Sequence, residues 1–122
     1  MPVVSIEYVR SEDEGPARDT LAQELADGIG TVLEAAEGSV WVRLHELAPS
    51  RYAENGGGGS AFSPVFADVL LKDFERDETL DGRTRELARS IGRVLGRPAE
   101  NVHILYGSSA RGRVAFGGVF VD

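Results

Sequence analysis

The sequence predicts an α+β fold: a tandem β-α-β repeat that builds a four-stranded mixed sheet with two helices on one face. Three observations lead there. Sliding the chain by 62 positions, the separation of Pro2 and Pro64, aligns its halves without a gap over roughly forty residues. The aligned identities include Pro2/Pro64, Val3/Val65, Leu25/Leu87, Ile29/Ile91, Gly30/Gly92, Leu33/Leu95 and Val40/Val102. Each half also passes from an extended apolar stretch to an apolar pattern of helical period and back to an extended stretch.

The first strand of each half is PVVSIEYV and PVFADVLL, whose β-branched and aromatic residues suit a pleated strand beginning at a proline. Helical spacing follows in Leu21, Leu25, Ile29, Val32 and Leu33, and again in Leu80, Leu87, Ala88, Ile91, Val94 and Leu95. Gly38 is expected to close the first helical region. Gly96, followed by Pro98, is expected to end the second, with glycine in the left-handed cap. SVWVRLHEL and NVHILYG supply the second strand of each half, each reached by a right-handed crossover. The segment AENGGGGSAFS between the halves reads as a flexible turn and linker.

With 122 residues, 42% of them hydrophobic, the chain is expected to be a single domain, 1–122, made of two halves at about 1–57 and 63–122. Twenty acidic against thirteen basic residues give a formal charge of −7, which argues against nucleic acid or anionic membrane as partner and leaves a small ligand. There is no cysteine, so disulfides, thiol nucleophiles and cysteine-bound zinc are excluded. The N-terminus lacks the basic start and apolar core of a signal peptide, and the expected location is cytoplasmic. His45, Glu46 and His103 do not form a recognised metal set, since neighbours on a strand alternate between faces, and no metal or other cofactor is expected. Gly107, Ser108 and Ser109 lack the surroundings of a nucleophile elbow or a phosphate loop and read as a polar turn.

Pro2 is the residue with distinctive chemistry. Once Met1 is removed it offers a secondary amine, which burial and nearby cations can keep neutral and basic. A β-α-β unit of about 60 residues that begins at such a proline and is repeated in tandem resembles the tautomerase superfamily. Its 4-oxalocrotonate tautomerase, macrophage migration inhibitory factor and 5-carboxymethyl-2-hydroxymuconate isomerase families share that plan. The resemblance covers nearly the whole chain. SVWVRLHELAPSRYAENGG is similar to the second strand and following hairpin of the short tautomerases, and RVAFGG to the same hairpin in the duplicate.

That resemblance implies a cofactor-free enzyme with Pro2 as general base, acting on a small carboxylate such as a 2-hydroxydienoate or 2-oxo acid. The short tautomerases place an arginine where this chain has Trp41, while Arg43 lies two residues on, on the same strand face. Lys72 and Arg76 match the region after the third strand where relatives bind a carboxylate. Tyr52 and Phe116 match an aromatic of the active-site hairpin, and Trp41 and His103, on the second strand of each half, complete the expected substrate-binding set. A Pro2-dependent hydratase, dehalogenase or decarboxylase on a small unsaturated acid, and a non-catalytic relative, are the alternatives. A four-stranded sheet covered on one face alone needs a partner for the other, and the resemblance implies that the resulting assembly is a homotrimer.

Overall fold

Extended and helical segments form where the alternation and the helical spacing of apolar residues place them. The computed structural model describes residues 2–58 and 63–122. Met1, whose removal is expected, and linker residues 59–62 lie outside the described residues. In chain order the elements are β1 (Val3–Val9), α1 (Leu21–Leu33), β2 (Trp41–Leu47), β3 (Val65–Leu70), α2 (Glu78–Leu95), β4 (Val102–Tyr106), and the short strands β5 (Ala115–Phe116) and β6 (Val119–Phe120). The main sheet runs β2-β1-β3-β4, parallel within each half and antiparallel where β1 meets β3. Among the described residues no helix is long and apolar enough to cross a membrane.

Alternation sends Val4, Ile6 and Tyr8 of β1 and Val65, Ala67 and Val69 of β3 to the helices, where they meet Leu21, Leu25 and Ile29 of α1 and Leu87, Ile91 and Leu95 of α2. Each of the fully buried Leu and Ile side chains contributes about 1.5–3 kcal/mol by leaving water. The helices come close at Gly28, where an added Cβ would lie 2.6 Å from Ser90 Oγ. Those two residues are one repeat apart, so the halves meet at the same position of each helix. The opposite face of the sheet, with Val3, Ser5, Glu7, Trp41, Arg43, His45, Phe66, Asp68, Leu70, His103 and Leu105, carries no helix.

The repeat is not gap-free in three dimensions. A shift of 62 carries even positions onto even ones, yet β1 buries its even residues and β3 its odd ones. The helices keep the shift, since Leu25/Leu87 and Ile29/Ile91 are all buried, and so do β2 and β4, where Val42/Ile104 and Leu44/Tyr106 all pack on the core. The offset is therefore confined to the first strand of each half, where a slip of one residue exchanges the two faces. Pro2 and Pro64 differ accordingly. The Pro2 carbonyl accepts from the Trp41 amide of β2 (3.1 Å), whereas the Pro64 carbonyl accepts from the Val9 amide of β1 (2.9 Å).

Two further expectations need correction. Helix α1 ends at Leu33 with Glu34 in the left-handed conformation (φ 51°), and Gly38 (φ 79°) instead shapes the turn before β2. The Glu34 and Ala35 amides donate to the Thr31 and Gly30 carbonyls and so offset the cost of left-handed backbone at a residue with a Cβ. Secondly, the hairpin expected after β2 is a 3-10 turn at Pro49–Arg51 followed by a turn, with no strands among the described residues, whereas the C-terminal one forms as β5–β6. Gly96 (φ 73°) caps α2 as expected, and Asp77 caps its start by accepting from the Leu80 amide at 2.8 Å.

Arg97, directly after that cap, is the one buried cation among the described residues. Its side chain, 6% exposed, makes a two-pronged pair with Glu14 (2.6 and 2.8 Å) and donates to the carbonyls of Val9 (2.8 Å), Ser63 (3.2 Å) and Leu95 (2.7 Å). It also stacks over the Tyr8 ring at 5.0 Å. Tyr8 in turn donates to Glu46 of β2 at 2.8 Å, and burial together with that carboxylate raises its pKa. One guanidinium thus joins the end of β1, the loop after it, the junction between the halves and the end of α2.

Two outcomes follow. Hydrogen bonding from Arg97 holds the Glu14 carboxyl below its ordinary range, so the pair stabilises the fold above the unfolded carboxylate pKa of about 4.3 and loses that contribution as pH falls through the lower folded value. Urea titrations should show that Glu14→Gln flattens this acid limb, while Arg97→Ala costs about 3 kcal/mol at pH 7. At Gly92 an added Cβ would lie 2.5 Å from the Arg97 carbonyl oxygen, a backbone atom, whereas at Gly28 the obstacle is a rotatable hydroxyl. Gly92→Ala should therefore lower the unfolding free energy from urea titration by about 2 kcal/mol despite better helix propensity, and Gly28→Ala should stay within about 1 kcal/mol of the parent.

Candidate active site

Pro2 immediately precedes a central strand, so ladders on both sides fix its place: Val3 pairs with Trp41 of β2 and with Leu70 of β3. Pro2 itself is buried. At this end of the sheet β1 and β2 begin, while β3 and β4 finish and release the chain into 71–77 and 107–121. The C-terminal segment returns along the end of β3, with the Ala110 and Arg111 amides donating to the Leu71 and Lys72 carbonyls (2.9 and 3.1 Å). It then carries Phe116 to Trp41, where the rings meet edge to face with centroids 5.0 Å apart. Trp41 is 54% exposed and its indole N–H donates to the Gly38 carbonyl at 3.1 Å. Since β1 lies between β3 and β2, this path crosses the beginning of β1.

Of the residues expected to line a site, one chain gathers Pro2, Trp41, Phe116 and Lys72 at this end. Lys72 is exposed, two residues after the end of β3. Arg43 is two residues further along β2, about 7 Å on, and donates to Ser5 Oγ at 2.8 Å. Arg76 precedes α2 and pairs with Asp81 at 3.2 Å. With Phe74, Thr84, Arg85 and Tyr106 it lines a recess of about 340 Å³ against β4, two strands from Pro2 and so about 10 Å away. Tyr52 and His103 flank Phe66, with ring centroids 5.9 and 5.4 Å from it. That row, which includes Glu7, is four residues along β1 from Val3, or about 13 Å. His45 and Glu46 point to opposite faces, and Glu46 is the partner of Tyr8.

Some organising residues escape a reading of the sequence. Arg111 grips Asp73 with two hydrogen bonds (2.8 and 2.7 Å), which holds the Asp73 carboxyl below its usual range. Ser109, read as part of a polar turn, accepts from the Phe74 amide through its hydroxyl at 2.8 Å. These contacts join loops 35 to 38 residues apart, where no periodicity marks them.

No protein-family model and no curated protein sequence matches the chain. Solved structures do. A fused 4-OT in its symmetric trimer is 17% identical, with a TM-score of 0.76 over 98% of this chain and 94% of that one. Pt0534 inactivated by 2-oxo-3-pentynoate is 19% identical, with a TM-score of 0.74 over 98% and 94%. Macrophage migration inhibitory factor from Oncomelania hupensis is 18% identical, with a TM-score of 0.73 over 100% of this chain and 83% of that one. The chain therefore has the fold of the tautomerase superfamily, shared with both the fused 4-OT and the migration-inhibitory-factor branches.

Proposed function

We propose that this chain is a cofactor-independent isomerase that moves a proton between the enol and keto forms of a small 2-hydroxydienoate or 2-oxo acid, with the Pro2 amine as general base after Met1 is removed. The observation that carries this reading is the placement of Pro2: buried at the start of a central strand, beside a segment that delivers an aromatic ring and next to the strand end that presents Lys72. Burial disfavours the ammonium form and keeps the amine ready to accept a proton. The amine takes a proton from the enol oxygen or the acidic carbon and returns it at another carbon, so the substrate is isomerised and the base regenerated. Lys72 pairs with the carboxylate and holds the substrate in register. The state of Pt0534 named above supports a 2-oxo acid as the ligand class for this fold.

A homotrimer completes the reading. The helix-free sheet face presents Leu105, and the tip of the C-terminal hairpin presents Val119 and Phe120, which are 72% and 58% exposed. A fused 4-OT forms a symmetric trimer with this fold. In such an assembly Arg43, Tyr52 and His103, too far from Pro2 of their own chain, serve a site from a neighbouring one. Pro64 offers no second base, since its nitrogen is an amide and its strand is offset by one residue from that of Pro2. A trimer thus has three working sites.

Light scattering should give the mass of three chains, and a stable monomer would remove the assembly from this account. A halopyruvate should modify processed protein once per chain, at Pro2 by peptide mapping, with enol ketonisation falling in proportion. Pro2→Ala and protein retaining Met1 should both lose most activity, and equal rates in all three forms would refute the base. Lys72→Ala should raise KM about ten- to a hundredfold, the loss of a charge-assisted contact of roughly 1.5–3 kcal/mol, with a smaller change for Arg76→Ala.

A further inference from the structure

The C-terminal hairpin has little to hold it in place by itself. Its strands are two residues each, turned by Gly117 and Gly118 in left-handed conformations, and a ladder that short is not stable alone. The Gly112 and Val121 amides close its base by donating hydrogen bonds to the Val121 and Val114 carbonyls (2.7 and 2.9 Å). Two sets of contacts tie it to the body. One is Phe116 on Trp41. The other is a cluster at the end of β3, where the Ala110 and Arg111 amides, Ser109 Oγ and the two-pronged Arg111–Asp73 pair all fasten onto residues 71–74.

We propose that Asp73 and Arg111 are positioning residues for the Pro2 site: their ion pair clamps the hairpin so that Phe116 lies on Trp41 across the start of β1 and keeps water from the Pro2 amine. The consequence for Pro2 rests on the proposed role of that amine, whereas the clamp itself does not. Half-exposed ion pairs are ordinarily worth little. This one is two-pronged, and it extends a run of backbone hydrogen bonds at the base of the hairpin, so it biases where the hairpin lies. The Trp41 amide donates to the Pro2 carbonyl, so the residue that carries the Phe116 contact is hydrogen-bonded to Pro2 itself. Losing that cover readmits water and restores the charged form of the amine.

Trp41 is the only tryptophan, so its emission reports where Phe116 lies without any turnover. In the full processed chain, Arg111→Ala and Asp73→Asn should each shift Trp41 emission to the red by a similar amount, towards the shift caused by Phe116→Ala. The double variant should add nothing further, and the charge-swapped pair Asp73→Arg with Arg111→Asp should restore the parent spectrum. High salt, which shortens the screening length to about 3 Å at 1 M, should move the parent partway. The apparent pKa for halopyruvate modification of Pro2 should rise by about half to one unit in the single variants, slowing modification three- to tenfold below that pKa. Unchanged emission in both single variants, with a shift in Phe116→Ala, would overturn the clamp. Shifted emission with an unaltered pH profile at Pro2 would overturn its role at the amine. A parent protein that is not modified at Pro2 at all would instead defeat the base assignment, and the emission series would still decide the clamp.

Discussion

The buried guanidinium of Arg97 is the constraint on which the remaining architecture depends. A two-unit chain joined by a glycine-rich linker has to fix how its halves meet, and apolar packing alone tolerates sliding. Arg97 removes that freedom because all of its donors find fixed acceptors in both halves and at the junction. A buried cation left without those partners would cost several kcal/mol, so only one arrangement of the end of β1 against the end of α2 is acceptable. With the end of β1 held by Arg97 and Tyr8, its pairing with β2 and β3 places the other end, and Pro2 with it.

The same arrangement explains why the internal repeat breaks where it does. Helices α1 and α2 must meet across equivalent positions, Gly28 and Ser90, since only small groups allow that approach. The central strands are free of that condition, because β1 pairs with β3 whichever face each turns inward. A one-residue offset there exchanges the inward set from even to odd numbers without disturbing either helix. The first strands are thus where the halves diverge, and they carry the two prolines. One half has Pro2 at the start of a central strand while the other has a linker proline bonded back to β1.

The proposed substrate contacts divide along the same lines. The Pro2 end of the sheet holds two aromatic rings and one exposed lysine, whereas the row containing Tyr52, Phe66 and His103 is at the far end of the open face. An antiparallel junction between the halves places matching features at opposite ends of the sheet. Residues that look like counterparts in a linear repeat are therefore separated by the length of a strand, and it is the proposed trimer that would bring them to one site.

The sequence by itself determined the α+β class, the order of elements and the helical faces. Each of these follows from local periodicity, which is a linear property. It also marked Gly96 as a helix cap, since glycine followed closely by proline has few other uses there. Only the tertiary structure decided the offset of β1 against β3, the left-handed Glu34, and which candidate residues share an end of the sheet. The Arg97–Glu14 and Arg111–Asp73 pairs were invisible for a physical reason. A salt bridge between loops 38 or 83 residues apart depends on where the chain returns in space, and neither spacing nor composition records that.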